Sequence, residues 1–329
     1  MWGTYSLVHL PIDAVPDITD NQVQIITSAP DLSAQEVERF ITYPLELELG
    51  NVPDVEEIRS ISRIGLSVIT VVFVEQADIY WARQQIHQKI QRAKEEIPTE
   101  FGVPEMGPIS TGLGEVYQYV IYPEEGYEDQ YDPTELRTIQ DWIIKRQLLG
   151  IPGVVEVNSS GGFLKQFEIS VDINRLQAFN LSMSDLIEAV ESNNENTGGS
   201  YIERHNYVYY IRGEGMISDT NDLKNIFVKI GKSVPILLKD VAKVKIGKAP
   251  RFGAVTMNGR GEVVAGQVMM LKGANSMEVV KLIKERMVQI EESLPEGVAL
   301  EPYLDRSKLI NQTTSTVITN LLEGALIVL

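Results

Sequence analysis

Two copies of one proline-closed pattern constrain this chain more than any other feature. One helix ends in Val52-Pro53-Asp54-Val55 and a strand follows; another ends in Ile151-Pro152-Gly153-Val154 and a strand follows. Ile97-Pro98-Thr99-Glu100-Phe101-Gly102-Val103 closes a second helix, and Leu294-Pro295-Glu296-Gly297-Val298 closes its counterpart. Proline disfavours helical geometry in the residue before it, so each is a helix stop. The order strand–helix–strand–strand–helix–strand, read twice, is the ferredoxin-like split βαβ pattern of an α+β protein. The spacing differs: 45 residues separate Pro53 from Pro98, whereas 143 separate Pro152 from Pro295. The excess of 98 is a small domain's worth of insertion in the second copy, predicted to run from about Gln166 to Lys248.

Helix starts are well marked. Leu32-Ser33-x-x-Glu36-Val37 is a capping box with a hydrophobic staple, and Leu181-Ser182-x-x-Asp185-Leu186 repeats it. Tyr131-Asp132-Pro133-Thr134-Glu135-Leu136 adds proline at the first helical position. Asn275-x-x-Glu278 is a weaker example. Val68–Val74, Val116–Tyr122 and Phe167–Val171 read as strands. Ile79, Ile86, Ile90 and Ile97 form one apolar stripe; Val279, Leu282, Ile283, Met287, Ile290 and Leu294 form another. Each stripe packs on one face of a sheet and leaves the other face free. The insertion is predicted to hold a capped helix (Met183–Ser192), a polar Gly-rich turn (Ser192–Ser200), a hairpin around Tyr201–Arg212, and strands near Phe227–Ile230 and Val241–Ile246.

Composition narrows the function. The 46 acidic residues against 29 basic give a net charge of −17, which repels phosphate backbones and argues against nucleic-acid binding. The absence of cysteine excludes disulfides, thiolate metal sites and Cys nucleophiles. No run reaches the ~20 apolar residues of a membrane span. The start, MWGTYSLVHLPID, lacks the basic region and cleavage site of a signal peptide. Val317–Leu329 is apolar to its last residue, and is read as the first turns of a membrane helix; the alternative is a docked terminal helix.

Several segments together resemble one family. They are Leu10-Pro11-Ile12-Asp13-Ala14-Val15-Pro16-Asp17-Ile18, Tyr43-Pro44-Leu45-Glu46 and Tyr80-Trp81-Ala82-Arg83, then Gly112-Leu113-Gly114-Glu115-Val116-Tyr117 and Leu136-Arg137-Thr138-Ile139-Gln140-Asp141-Trp142. Asp240-Val241-Ala242-Lys243-Val244 and Tyr303-Leu304-Asp305-Arg306-Ser307 complete the set. Jointly they resemble the heavy-metal branch of the resistance-nodulation-division (RND) efflux pumps, over essentially the whole chain. The resemblance implies the first periplasmic loop of an inner-membrane pump of a Gram-negative bacterium. Residues 1–14 would be the remnant and exit of the first transmembrane helix. Two ferredoxin-like porter subdomains would be 15–107 and 108–165 with 249–307. The α+β docking subdomain would be 166–248, and the start of the second transmembrane helix 308–329. It also implies a homotrimer, a periplasmic adaptor protein, an outer-membrane channel, and contact with the inner membrane through helices lying elsewhere. The energy would come from a proton gradient, and the chain alone would not transport.

The candidate chemistry is cation binding. Glu115 ends the Gly112–Gly114 turn and opens a strand; its carboxylate is a hard oxygen ligand suited to divalent cations. The resemblance places it beside the substrate cleft and favours zinc, cobalt, cadmium or nickel over silver or copper. Glu156 and Asn158 alternate with Val155 and Val157, so the two polar groups share one strand face. The bland alternatives are a solvated strand end and an exposed sheet face. Met269 and Met270 are adjacent and face opposite ways; Met257 and Met287 read as core filler. His9, His87 and His205 lack ligand spacing, and Asp13, Asp17 and Asp20 fit turns better than a calcium loop. Glu124–Asp129 is a solvated acidic loop. Gly231-Lys232-Ser233 imitates the end of a P-loop, but Ile226 stands where that motif needs glycine. Neither a catalytic motif nor a resident cofactor is expected; the metal cation is cargo. Tyr201, Arg204, Tyr207, Tyr209 and Arg212 are the candidate subunit-contact residues, because tyrosine and arginine are enriched in interface hot spots.

Two rival readings remain open here. An RND pump for amphiphilic drugs needs several cleft aromatics, and the Gly112–Glu115 turn and the strand after Pro152 carry none before Phe163. A soluble tandem ferredoxin-like module for small ligands predicts a harmless terminal helix.

Overall fold

In β1 (Asn21–Ser28) every second residue is apolar or small and turns inward, so the strand has one covered face. A helical run follows in three pieces, Ala34–Val37, Glu38–Thr42 and Tyr43–Leu49, the middle one wound as a π-turn. The capping box read at Ser33 is formed, with the Ser33 hydroxyl and the Glu36 carboxylate each serving the other's backbone N–H. β2 (Val55–Arg63), β3 (Leu66–Phe73), the helix Ile79–Glu96 and β4 (Glu105–Met106) complete the first copy. The structure is a computed structural model and describes residues 18–205, 207–230, 234–251 and 253–328. The reading of residues 1–14 as a helix remnant, and the candidates His9, Asp13 and Asp17, lie outside the described residues.

The first sheet has the order β2-β3-β1-β4, antiparallel throughout. Its core joins Val23, Ile25, Ile69, Val71 and Phe73 from the strands to Ile41, Leu45, Leu49, Ile86 and Ile90 from the helices. Both helices therefore cover the same face. The π-turn delivers one polar group inward: Thr42 Oγ1 lies 2.8 Å from both Ser62 Oγ and Ser67 Oγ.

The second copy begins with β5 (Glu115–Pro123), a helical run (Pro133–Ile139, Gln140–Ile144, Lys145–Leu148) and β6 (Val154–Ser160). The chain then forms a separate compact unit of residues 128–138 and 161–263. That unit holds β7 (Lys165–Val171), β8 (Thr197–Arg204), β9 (Tyr207–Gly213), β10 (Phe227–Ile230), β11 (Pro235–Leu237), β12 (Ala242–Lys248) and β13 (Val255–Thr256). β7 pairs with β12, β8 with β9 and β10 with β11. Its core gathers Leu176, Leu181, Leu186, Leu223, Ile226, Ile236, Leu238 and Val241. The helix Met183–Ser192 has the limits and the Ser182–Asp185 capping box read from sequence. The Gly-rich stretch differs from the expected turn, because β8 already begins at Thr197. Gly198 and Gly199 act as strand residues: a Cβ on Gly199 would lie 2.6 Å from the Ile211 carbonyl oxygen, so the close approach to β9 requires glycine.

β14 (Glu262–Met270), the helix Ser276–Ser293 and β15 (Val298–Asp305) close the second copy. The order β15-β5-β14-β6 is the same 4-1-3-2 arrangement as β4-β1-β3-β2 in the first. The stripe of Val279, Ile283, Met287 and Ile290 is buried, as are Ile144 and Leu148. Met287 is core filler as read, whereas Met257 sits half-buried in a turn. Under the helices runs a polar chain. Tyr119 Oη donates to Gln140 Oε1 (2.9 Å), Gln140 Nε2 to Ser159 Oγ (3.2 Å), and Ser159 Oγ to Asp141 Oδ1 (2.6 Å). The last helix, Arg306–Val328, exposes Val317, Ile318, Leu321, Leu322, Leu326 and Ile327. Among the described residues no helix is long and apolar enough to cross a membrane.

Gly266 in β14 lies against the fully buried Tyr119 ring, where a Cβ would meet Cζ at 2.2 Å. Tyr119 is held by Gln140 and has no room to retreat. Gly266→Ala is expected to destabilise the chain by about 2 kcal/mol through overpacking, read as a lower urea midpoint.

Candidate functional site

The uncovered face of the second sheet is built by a displaced register. Along β5, Tyr117, Tyr119 and Ile121 turn into the core, and strict alternation would send Glu115 with them. Instead Tyr117 opposes Val268 while Glu115 opposes Met269, leaving Val116 as an extra residue. Such a bulge re-aims the neighbouring side chain. Val116 is buried, Glu115 is exposed, and Gln118 Nε2 donates to Glu115 Oε2 on the open side.

The register then brings the polar candidates together. Met269 of β14 lies opposite Glu115 of β5 on one side and Glu156 of β6 on the other. One step along, Gln267 lies between Gln118 and Asn158. Asn158 Nδ2 donates to Met269 Sδ at 3.2 Å, which fixes the thioether on this face. Tyr303 of β15 is hydrogen-bonded to Gln267. Its hydroxyl pKa is raised, chiefly by burial; the Gln267 bond opposes the shift and the Glu115 charge adds to it. Glu115 and Glu156 stand two strand spacings apart, about 10 Å between Cα atoms. Glu156 also borders a cavity of about 400 Å³ lined by Ile26, Ser28, Glu105 and Met106. The face thus gathers two carboxylates, an amide and a thioether.

Of the residues read from sequence, Glu115, Glu156 and Asn158 lie on one face. Met269 and Met270 face opposite ways along β14, so the sequence alone offers Met269 no neighbouring ligand. Its partners are on other strands, and only the bulged register shows them. The other candidates are elsewhere. His87 is exposed on its helix, and His205 occupies the hairpin turn with φ of 53°. Asp20 pairs with Arg59 at 3.1 Å. Gly231-Lys232-Ser233 lies outside the described residues. Among the described residues there is no cluster of three His, Cys, Asp or Glu side chains placed to hold a metal.

In the second unit, the contact candidates lie on the β8–β9 hairpin. Tyr201 opposes Tyr210, Ile202 opposes Tyr209, Arg204 opposes Tyr207 and Gly198 opposes Arg212. Every residue of both strands is exposed, so both faces of the ribbon are open. Ile202, Val208 and Ile211 add apolar surface that the tyrosine–arginine pattern did not single out.

Near the open face, Asp305 at the end of β15 is ion-paired with Lys284 at 2.6 Å and accepts from Ser307 Oγ at 2.7 Å. Burial works against its ionisation, but the Lys284 and Ser307 bonds outweigh it and hold the carboxyl below its usual 3.8. A carboxylate with a depressed folded pKa contributes stability above the unfolded value and loses it as pH falls through the folded one. The unfolding midpoint is therefore expected to drop as pH falls from above 3.8 to below it. In Lys284→Met that drop is expected to shrink, which thermal unfolding at a series of acid pH values measures.

The sequence profile of the AcrB/AcrD/AcrF family matches residues 1–329. The chain is 45% identical to the cobalt-zinc-cadmium resistance protein CzcA of Cupriavidus metallidurans, over 99% of this chain and 31% of that protein. It is 40% identical to the nickel and cobalt resistance protein CnrA of the same organism, over 99% and 33%. With the cation efflux system protein CusA of Escherichia coli the identity is 36%, over 100% and 31%. The crystal structure of a heavy metal efflux pump superposes with a TM-score of 0.88 at 34% identity, over 99% of this chain and 32% of that one. The chain spans about a third of the length of these relatives.

Proposed function

This chain belongs to the AcrB/AcrD/AcrF family, and on that premise we propose that it is the periplasmic porter and docking segment of a proton-driven RND pump that expels divalent heavy-metal cations such as zinc, cobalt or cadmium. One observation carries the choice of cargo: Glu115, Met269 and Glu156 stand in a row on the uncovered face of the second sheet, with Asn158 bonded to the methionine sulfur. An amphiphilic drug would need an aromatic wall, whereas this row offers carboxylates, an amide and a thioether.

The role follows from the donor types. Ionised carboxylates attract a dication and share its charge, while the thioether adds a soft contact that alkali and magnesium ions do not reward. Ligand oxygens bind protons as well as metals, so cation affinity falls as the carboxylates protonate. Binding and release then require only a change in the openness of the cleft, with no covalent step. The segment supplies one wall of that cleft; the proton pathway and the opposing wall belong to the rest of the pump.

The same reading assigns the larger parts. Residues 15–107 and 108–165 with 249–307 are the porter subdomains, and 166–248 the docking subdomain. The open β8–β9 ribbon, with Tyr201, Arg204, Tyr207, Tyr209 and Arg212, is the contact with a neighbouring subunit of a homotrimer. A ribbon exposed on both faces has little to hold it alone, and a neighbour would cover its apolar residues. A periplasmic adaptor and an outer-membrane channel complete the assembly. The exposed apolar side chains of Arg306–Val328 suit a segment leading into the inner membrane at 308–329. The net charge of −17 keeps nucleic acid out of the partner list.

Calorimetric titration of the chain with Zn²⁺ tests the cargo site. Glu115→Gln is expected to weaken binding by about tenfold or more, since it exchanges a charged ligand for a neutral one. Met269→Leu is expected to weaken Cd²⁺ more than Zn²⁺, because the softer ion gains more from sulfur. Equal Zn²⁺ affinity in the parent and Glu115→Gln would contradict the assignment.

A further inference from the structure

The segment Tyr303-Leu304-Asp305-Arg306-Ser307 meets the Gly112–Glu115 turn in space, although 193 residues separate Leu113 from Arg306. Arg306 is the first residue of the helix Arg306–Val328 and is 9% exposed. Its Nη1 donates to the carbonyl oxygen of Leu113, two residues before Glu115. The turn's other anchors are weaker in kind. Gly114 N donates to Thr111 O (2.8 Å), Met270 N to Gly114 O (2.7 Å) and Gly112 N to Thr19 Oγ1 (3.2 Å). All are bonds between neutral groups, and two of the turn's three residues are glycines with wide conformational freedom. A guanidinium stays charged and makes a charge-assisted bond, the stronger kind. The base of the arginine is fixed in turn. Asp305 accepts from Ser307 N (3.0 Å) and Ser307 Oγ (2.7 Å), and Lys284 reaches both Asp305 (2.6 Å) and Ser307 Oγ (2.8 Å).

We propose that Arg306 is a positioning residue for the cation face: it locks the Gly112–Gly114 turn to the head of the helix Arg306–Val328 and so aims Glu115 across the bulge at Met269. The helix and the carboxylate then move as one piece, and a displacement of the helix head is felt at the ligand. The metal arm of this proposal rests on the cation reading above; the backbone arm does not.

Amide hydrogen exchange on the whole chain, beside Zn²⁺ titration, separates the two. In Arg306→Gln the amides of Gly114, Glu115 and Val116 are expected to exchange about tenfold faster or more, the cost of one charge-assisted bond. Amides of β1 and β3 should keep their parent rates, and Zn²⁺ affinity should fall by about tenfold. Arg306→Lys, which keeps a charged donor, should recover part of both effects. Unchanged exchange at 112–116 in a folded Arg306→Gln chain would overturn the proposal, and so would faster exchange with Zn²⁺ affinity intact. If Arg306→Gln unfolds, seen as fast exchange throughout β1 and β3, Arg306→Lys decides. Acceleration confined to 112–116 supports the lock; an even rise, or none, overturns it. If Glu115→Gln binds Zn²⁺ like the parent, the cation reading fails instead, and exchange at 112–116 alone judges Arg306.

Discussion

A four-stranded sheet covered by helices on one side leaves its other side to face something else, and this one-sidedness organises both copies of the repeat. Apolar stripes on Ile79–Glu96 and Ser276–Ser293 commit one face of each sheet to the core. The other face is shared between buried apolar residues such as Val72, Val120 and Ala265 and side chains left for polar work. In the second copy the bulge at Val116 adds Glu115 to that free set. Without the extra residue the carboxylate would point at the helices, where a buried charge lacking a partner is costly. The register of one strand pair thus decides whether a cation face exists.

The pattern was legible where it is local. Pro98 and Pro295 stop their helices by backbone sterics, with Ile97 and Leu294 extended just before them, whereas the helices read as closed by Pro53 and Pro152 already end at Leu49 and Leu148. The capping residues Ser33, Asp132, Ser182 and Asn275 satisfy their own helix starts. These interactions span a few residues, so sequence displays them. The site was legible in part. Glu115, Glu156 and Asn158 stood out as polar residues at strand positions. Met269 did not, because its neighbours across β5 and β6 are more than a hundred residues away and are aligned by two register shifts. Arg306 was hidden for the same reason. The Gly-rich stretch before Tyr201 misled in the opposite direction: glycine usually signals a turn, but here it allows two backbones to close up.

The second unit shows a different balance. Its core draws on four short helices, small sheets and turns, yet the β8–β9 ribbon shares none of that burial. Seven to eight residues per strand with tyrosine, isoleucine and valine outward are more apolar surface than a free hairpin tolerates well. A trimer contact, as proposed, explains both the length and the composition of the ribbon. The acidic loop Glu124–Asp129, by contrast, is tied to the turn at 296–297: Glu124 N donates to Gly297 O at 2.8 Å and Tyr127 Oη to Glu296 Oε1 at 3.0 Å.

The central claim is that the row Glu115–Met269–Glu156 holds a divalent metal ion. Anomalous diffraction from crystals of the chain grown with Cd²⁺ tests it most directly. The account predicts an anomalous peak on the open face of the second sheet, within coordination distance of the Glu115 carboxylate and the Met269 sulfur. Peaks confined to the Glu124–Asp129 loop or other surface carboxylates, with none above Met269, would contradict it.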